Sequence, residues 1–211
     1  MLRVGLAMGL VASVAQQSSN ALRWIESAPD ATIEIQNDVR IEGLKTDSVS
    51  VFVNLVEVGE TRYNRVWVKI FNRGKAPISF DPQSATLVQG NKTLPAEVPE
   101  KAANSVQALG EATSQSSALL RCIPNSTSGR CEVTDIEGHS TQVLMFAKKQ
   151  AQWIRDNGLK QMTLVPGAQA QGAIFFRKGK KSAAYVFRLP LGHQVFEFPL
   201  TAENKAPQFA N

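Results

Sequence analysis

Val66-Trp67-Val68-Lys69-Ile70-Phe71-Asn72-Arg73-Gly74-Lys75-Ala76-Pro77-Ile78-Ser79-Phe80 decides the fold class. Val66, Val68 and Ile70 alternate with Trp67, Lys69 and Phe71, the period-two pattern of a strand whose faces meet different surroundings. Asn72-Arg73-Gly74-Lys75 reads as a turn. Ala76-Pro77 then opens a further strand at a proline, a position suited to a strand end. The unit is strand, turn, strand.

Working outward, the same alternation continues on both sides. Thr32-Ile33-Glu34-Ile35-Gln36 is a short alternating strand, and Val49, Val51, Val53 and Leu55 share one face of another. Gln89-Gly90-Asn91-Lys92 is a hairpin signal between two further short strands. Toward the C-terminus, Gly172-Ala173-Ile174-Phe175-Phe176 is apolar on both faces and reads as a central strand. Tyr185, Phe187 and Leu189 alternate with Val186 and Arg188; Pro190 to Gln194 is read as a turn, before Phe196, Phe198 and Leu200 alternate in the last strand. Residues beyond Ala202 read as a frayed tail.

Between these β regions, residues 96–158 change period. Residues 98–120 are rich in Ala, Gln and Ser and read as one weak helix or two broken at Gly110. Val143, Ala147, Ala151 and Ile154 fall at i, i+4, i+8 and i+11, one face of an amphipathic helix. Ser140 is its expected N-cap and Asn157-Gly158 its expected stop. Met145, Phe146 and Trp153 are expected to pack in the core, as such residues at helical spacing usually do.

The N-terminus carries a targeting pattern. Arg3 precedes a run of apolar and small residues over positions 4–15, and Ser13-Val14-Ala15 and Ser19-Asn20-Ala21 both place small residues at −3 and −1 of a cleavage site. The run is shorter than the roughly 20 residues that span a bilayer. Residues 1–21 are therefore expected to be a signal peptide, cut after Ala21 or after Ala15. The expected location is periplasmic or extracellular, with no transmembrane segment once the signal is removed. Cys122 and Cys131, the only cysteines, flank a polar, turn-forming stretch and are expected to form a disulfide in that oxidising setting.

Composition narrows the chemistry. The 211 residues are 43% hydrophobic and 19% charged with a net charge of +5, which fits a globular chain and excludes disordered, collagenous and cysteine-stapled classes. Two histidines and two cysteines leave little material for a transition-metal site, so no metal and no cofactor is expected. Serine-hydrolase, P-loop, zincin and dinucleotide signatures are absent from the sequence. His139 stands beside Ser140, but adjacency in sequence seldom aims a base at the neighbouring hydroxyl. His193 follows Pro190 in the expected turn. Arg177-Lys178-Gly179-Lys180-Lys181 sets four cations at an expected hairpin tip. Such a cluster either keeps the hairpin soluble or contacts an anionic partner. Arg177, Lys178, Lys180 and Lys181 are thus the candidate anion contacts; nucleic acid is not expected, because no stacking aromatics are interleaved with them.

Residues 66–80, with Val165-Pro166-Gly167 and the strand of residues 172–176, resemble the strand–turn–strand and later hairpin of exported bacterial immunoglobulin-like domains. The resemblance covers about half of the chain after the signal and implies fold and export, with no active site. The expected architecture is mainly β: an antiparallel immunoglobulin-like β-sandwich over residues 22–211 as one domain, with an α-helical insertion at about 96–158. The expected function is an exported non-catalytic binding or structural module of the cell envelope or exterior, partnered by another envelope protein or an anionic surface. The alternative is an exported hydrolase with a histidine-based site, using His139 on the helical insertion or His193.

Overall fold

The computed structural model describes residues 21–36, 39–57, 63–119, 122–124, 131–133, 137–178 and 184–201. In chain order they form β1 (Ala21–Arg23), β2 (Ala31–Gln36), β3 (Val39–Lys45), β4 (Val49–Glu57), β5 (Tyr63–Asn72), β6 (Ile78–Phe80), β7 (Thr86–Gln89), β8 (Lys92–Glu97), α1 (Pro99–Leu119), β9 (Cys122–Pro124), β10 (Cys131–Val133), α2 (Glu137–Asn157), β11 (Met162–Leu164), β12 (Gln169–Arg177), β13 (Ala184–Leu191) and β14 (Gln194–Thr201). The fold is mainly β. The stretch before Ala21 expected to be a signal peptide, Lys180 and Lys181 of the expected hairpin tip, and the residues after Thr201 lie outside the described residues.

Ten strands make one sheet in the order β1-β14-β13-β7-β8-β12-β5-β4-β3-β2. Its pairings are antiparallel except for β1, which runs parallel to β14. The joint between the two halves is short, with only Glu97 and Ala96 of β8 paired to Phe175 and Phe176 of β12. There the sheet curls, and β14 comes to lie over β4. Both halves feed one core. Val51, Val53, Val66, Val68, Ile70, Ile174 and Phe176 enter from one side, and Leu87, Phe187, Leu189, Phe196, Phe198 and Leu200 from the other. The alternation read from sequence is thus the alternation between core and outside.

β12 is buried on both faces for a specific reason. Ile174 and Phe176 point into the main core, while Ala173 and Phe175 point outward under the two helices. There they meet Ala102, Ala103 and Val106 of α1, Ala151 and Ile154 of α2, and Tyr63 of β5. The helices are antiparallel neighbours. Arg155 near the end of α2 donates from Nε to Glu100 at 3.0 Å and from a terminal nitrogen to Asn104 at 2.8 Å, both near the start of α1. Pro99 begins α1, where its missing N–H is one that the helix would leave unpaired anyway.

Several details differ from the sequence reading. Gly110 does not break α1, which is continuous over Pro99–Leu119. It is buried where a Cβ would press into the Ala147 Cβ of α2, so the missing side chain lets the helices approach. The second helix starts at Glu137, ahead of Ser140, and does stop at Asn157. Met145 and Phe146 are not core residues; both are more than half exposed, because the buried face of α2 is the small-residue stripe of Ala147 and Ala151 with Ile154. β13 runs through Pro190, which pairs with Val195, so the turn is Gly192-His193 with Gly192 at φ 58°.

The cysteines lie on a two-stranded antiparallel ribbon, β9 with β10. Cys122 pairs with Val133 and Cys131 with Pro124.

Candidate functional site

The basic hairpin enters the structure at its first two residues only. Arg177 ends β12, and its Nε lies 3.1 Å from Glu97 Oε1. Lys101 meets the other oxygen of Glu97 at 3.1 Å. Arg177 is therefore committed to a carboxylate that is itself largely buried at the joint of the sheet. Lys178 is half-buried and is not a free cation. His193 is exposed on its turn and makes no side-chain hydrogen bond or ion pair among the described residues. His139 falls in the first turn of α2, where only the backbone is described.

A shallow cleft of about 140 Å³ lies beside the start of α1, lined by Pro82, Glu97, Pro99, Lys160 and Ile174 among others. Its only carboxylate is Glu97, which already holds two cations. A second, smaller space of about 30 Å³ sits between β3, β4 and the end of β14. Glu42 lines it, with Oε1 at 3.3 Å from Arg40 Nε and a buried Oε2 that has no hydrogen-bond partner among the described residues. Arg40 also reaches Glu26 at 3.5 Å and lies 5.4 Å from the Trp24 ring centre. Burial raises the Glu42 pKa, opposed by the neighbouring Arg40 charge.

The sign of that shift gives a test. A carboxyl with a folded pKa above its unfolded value costs stability wherever it is ionised in the fold, and the cost disappears as pH falls toward the unfolded value of 4.5. The ion pair lost with it is worth little, since Arg40 is substantially exposed. Glu42→Gln should therefore melt higher than the parent at pH 8, with the gap closing near pH 4. Thermal melts at the two pH values decide this; a variant that melts lower at pH 8 contradicts it.

Under the helices, the Arg65 guanidinium lies over the Trp153 ring at 4.4 Å, and Trp153 meets Phe175 edge-on at 6.4 Å and Trp67 at 6.4 Å. Burial lowers the Arg65 pKa to about 10, so it stays charged at neutral pH. This group docks α2 on β5. Nothing in the sequence points to it, because an arginine in an alternating strand reads as solvent-facing.

Beyond the edge of α2, the outer face of β3, β4 and β5 is uncovered. Lys69 stands exposed in the middle of it, between the half-buried Trp67 and Phe71 of its own strand. Phe52 is directly across on β4, and Gln171 directly across on β12. On the next strand Gly43 pairs with Phe52, and a Cβ at Gly43 would come within 2.7 Å of the Phe52 ring. The ring therefore lies down across the glycine. Lys45 Nζ is 5.5 Å from the centre of that ring. Neither Lys45 nor Lys69 has a carboxylate partner among the described residues. The outward set Trp67, Lys69 and Phe71 is legible in the alternation of residues 66–71; its convergence with Phe52 and Lys45 is not.

No family model and no curated protein matches the chain. Among solved structures, the yjhA protein from Bacillus subtilis is similar at 14% identity, with 70% of this chain and 76% of that one covered and a TM-score of 0.35. Among the described residues no helix is long and apolar enough to cross a membrane.

Proposed function

We propose that the chain is an exported, non-catalytic binding module of the cell envelope or exterior, built as an immunoglobulin-like β-sandwich with a helical insertion over residues 96–158. The observation that carries this reading is the uncovered sheet face, where half-buried aromatics surround lysines without carboxylate partners. Unpaired cations beside apolar rings are what a surface kept for an anionic partner offers. Of the described hairpin cations, Arg177 is the weaker candidate for that contact, since it is held by Glu97.

Two features support export. The charge–apolar–small order of residues 3–15 is that of a signal peptide. Ser19-Asn20-Ala21 and Ser13-Val14-Ala15 then supply the small residues at −3 and −1 that a cleavage site needs. Cleavage after Ala15 leaves β1 whole; cleavage after Ala21 trims one residue from it. In an oxidising compartment Cys122 and Cys131 are proposed to join as a disulfide.

Expression with the native N-terminus tests the export reading. Mass spectrometry of the exported protein should give a chain starting at Leu22 or Gln16, two hydrogens lighter than the dithiol. An uncut chain in the cytoplasm refutes export, and two free thiols in the exported form refute the disulfide. The binding reading is tested by sedimenting the mature protein with envelopes of its own host. Retention should fall in a Lys45→Gln/Lys69→Gln variant, and equal retention of both proteins refutes the assigned face.

A further inference from the structure

We propose that the outer face of β3–β5 binds an acidic polysaccharide, with Trp67, Phe71 and Phe52 stacking on its sugar rings and Lys69 and Lys45 meeting its carboxylates. This assignment rests on the exported binding module proposed above.

The register supplies the layout. Trp67, Lys69 and Phe71 occupy alternate positions of one strand, so the two aromatics are roughly 13 Å apart with the ammonium between them. Phe52 extends the surface across the strands, since it pairs with Lys69. Gln171 on β12 and Asn54 on β4, paired with Lys69 and Trp67 respectively, add amides at the two sides. An extended sugar chain crossing this face meets apolar rings for its C–H faces, amides for its hydroxyls and cations for its acid groups.

Charge selects the acidic form of that ligand. Glu34, at the edge of the sheet, is the sole carboxylate at the outer-face positions of β2 to β5 among the described residues. Lys69 is exposed and Lys45 half-buried, and neither has a carboxylate partner there. Removal of residues 1–21 takes only Arg3 from the full chain's net charge of +5, so the mature chain stays cationic and adds a favourable long-range field for a polyanion.

Shape selects a glycan over a bilayer. Phe52 is held down over Gly43, and Trp67 meets Trp153 of α2 with ring centres 6.4 Å apart and planes tilted by 38°. Rings held flush with a sheet stack against a ligand lying on them but do not protrude into a hydrocarbon layer. Insertion of apolar side chains is what gives an interfacial segment its grip on lipid.

The test uses the mature protein and three probes: polygalacturonate, the neutral polymer dextran, and vesicles of phosphatidylglycerol with phosphatidylcholine. Affinity electrophoresis at low salt should show retardation by polygalacturonate and none by dextran. Removing both ammonium groups in Lys45→Gln/Lys69→Gln should weaken the polygalacturonate interaction about tenfold. Phe52→Leu, which keeps a side chain over Gly43, should weaken it while leaving the lysines in place. Lys148→Gln, an exposed lysine on α2, should have no effect. Circular dichroism confirms that each variant is folded.

No retardation overturns the proposal, as does retardation indifferent to Lys45 and Lys69 or equally lost in Lys148→Gln. Vesicle binding that depends on the two lysines, without polygalacturonate binding, also overturns the glycan assignment. In that case lysine-dependent sedimentation with host envelopes would persist, so the two readings fail separately.

Discussion

Phe187→Ala should lower stability by about 3–5 kcal/mol, the range for deleting a buried aromatic ring. Phe187 is fully buried on β13 and stacks edge-on against Phe176 of β12, with ring centres 6.0 Å apart at 76°. It also lies 6.5 Å from Phe198 on β14. Phe176 and Phe187 belong to opposite halves of the curled sheet, so this pair holds the halves together across the core. Along the sheet itself the halves are paired through only two residue pairs of β8 and β12, so their union rests on the shared core. A cavity here cannot be closed by a loop moving in, because strands surround it. At roughly 2–4 °C per kcal/mol for a chain of this size, the melting temperature should fall by about 10 °C. Phe187→Leu keeps most of the volume and should lose about a third as much. Differential scanning calorimetry reads both; an alanine variant melting within 3 °C of the parent, roughly 1 kcal/mol, would show that the halves are held elsewhere.

What the sequence reveals depends on whether a residue's neighbours are local. Alternation in residues 49–55, 66–70, 185–189 and 196–200 reports a core on one side of a strand, and those residues do enter it. β3 is not legible, because Arg40, Glu42, Gly43 and Lys45 break its apolar pattern. Its inward positions near the hairpin end, Arg40 and Glu42, line a polar space beyond the core, so period two carries no hydrophobic signal there. Gly110 reads as a possible break because glycine disfavours helix in isolation, by about 1 kcal/mol against alanine. The partner that justifies it, Ala147, is 37 residues away on another helix. The candidate site is divided in the same way. Trp67, Lys69 and Phe71 are legible as one outward face, whereas Phe52 and Lys45 join them only through strand pairing.

The placement of charge follows the same logic. Four cations in five residues make the hairpin tip conspicuous, but sequence cannot show that Glu97 stands beside Arg177 at 3.1 Å. A single lysine between two aromatics is less conspicuous. Pairing decides which of these cations has charge left for a ligand, and pairing is set by sheet register.

Asn72 gives the second large effect, and its cause is hydrogen bonding without any cavity of note. Its side chain is fully buried. Nδ2 donates to the carbonyls of Ala76 at 2.9 Å and Leu164 at 2.8 Å, and Oδ1 accepts from the Gly74 N–H at 2.9 Å. The backbone of the same residue donates to Ala168 at 3.0 Å and accepts from Gly167 at 2.9 Å. One amide thus ties the turn after β5 to the approach of β12, across 92 residues of chain. Asn72→Ala leaves the Leu164 carbonyl without its amide donor in a buried place, at about 1–3 kcal/mol for each group so stranded. With the more exposed Ala76 and Gly74 groups partly rehydrated, the expected total is about 3 kcal/mol, read from urea denaturation. Asn72→Asp should be worse at neutral pH, because a carboxylate then faces two carbonyl oxygens and keeps only the Gly74 bond. That repulsion and burial would raise the new carboxyl's pKa, so the deficit is full above its folded pKa and shrinks as pH falls toward the unfolded value of roughly 4. The alanine variant has no such titration. If the two variants show the same loss at pH 8 and the same dependence on pH, the amide is not the tie between these turns, and packing around Asn72 is.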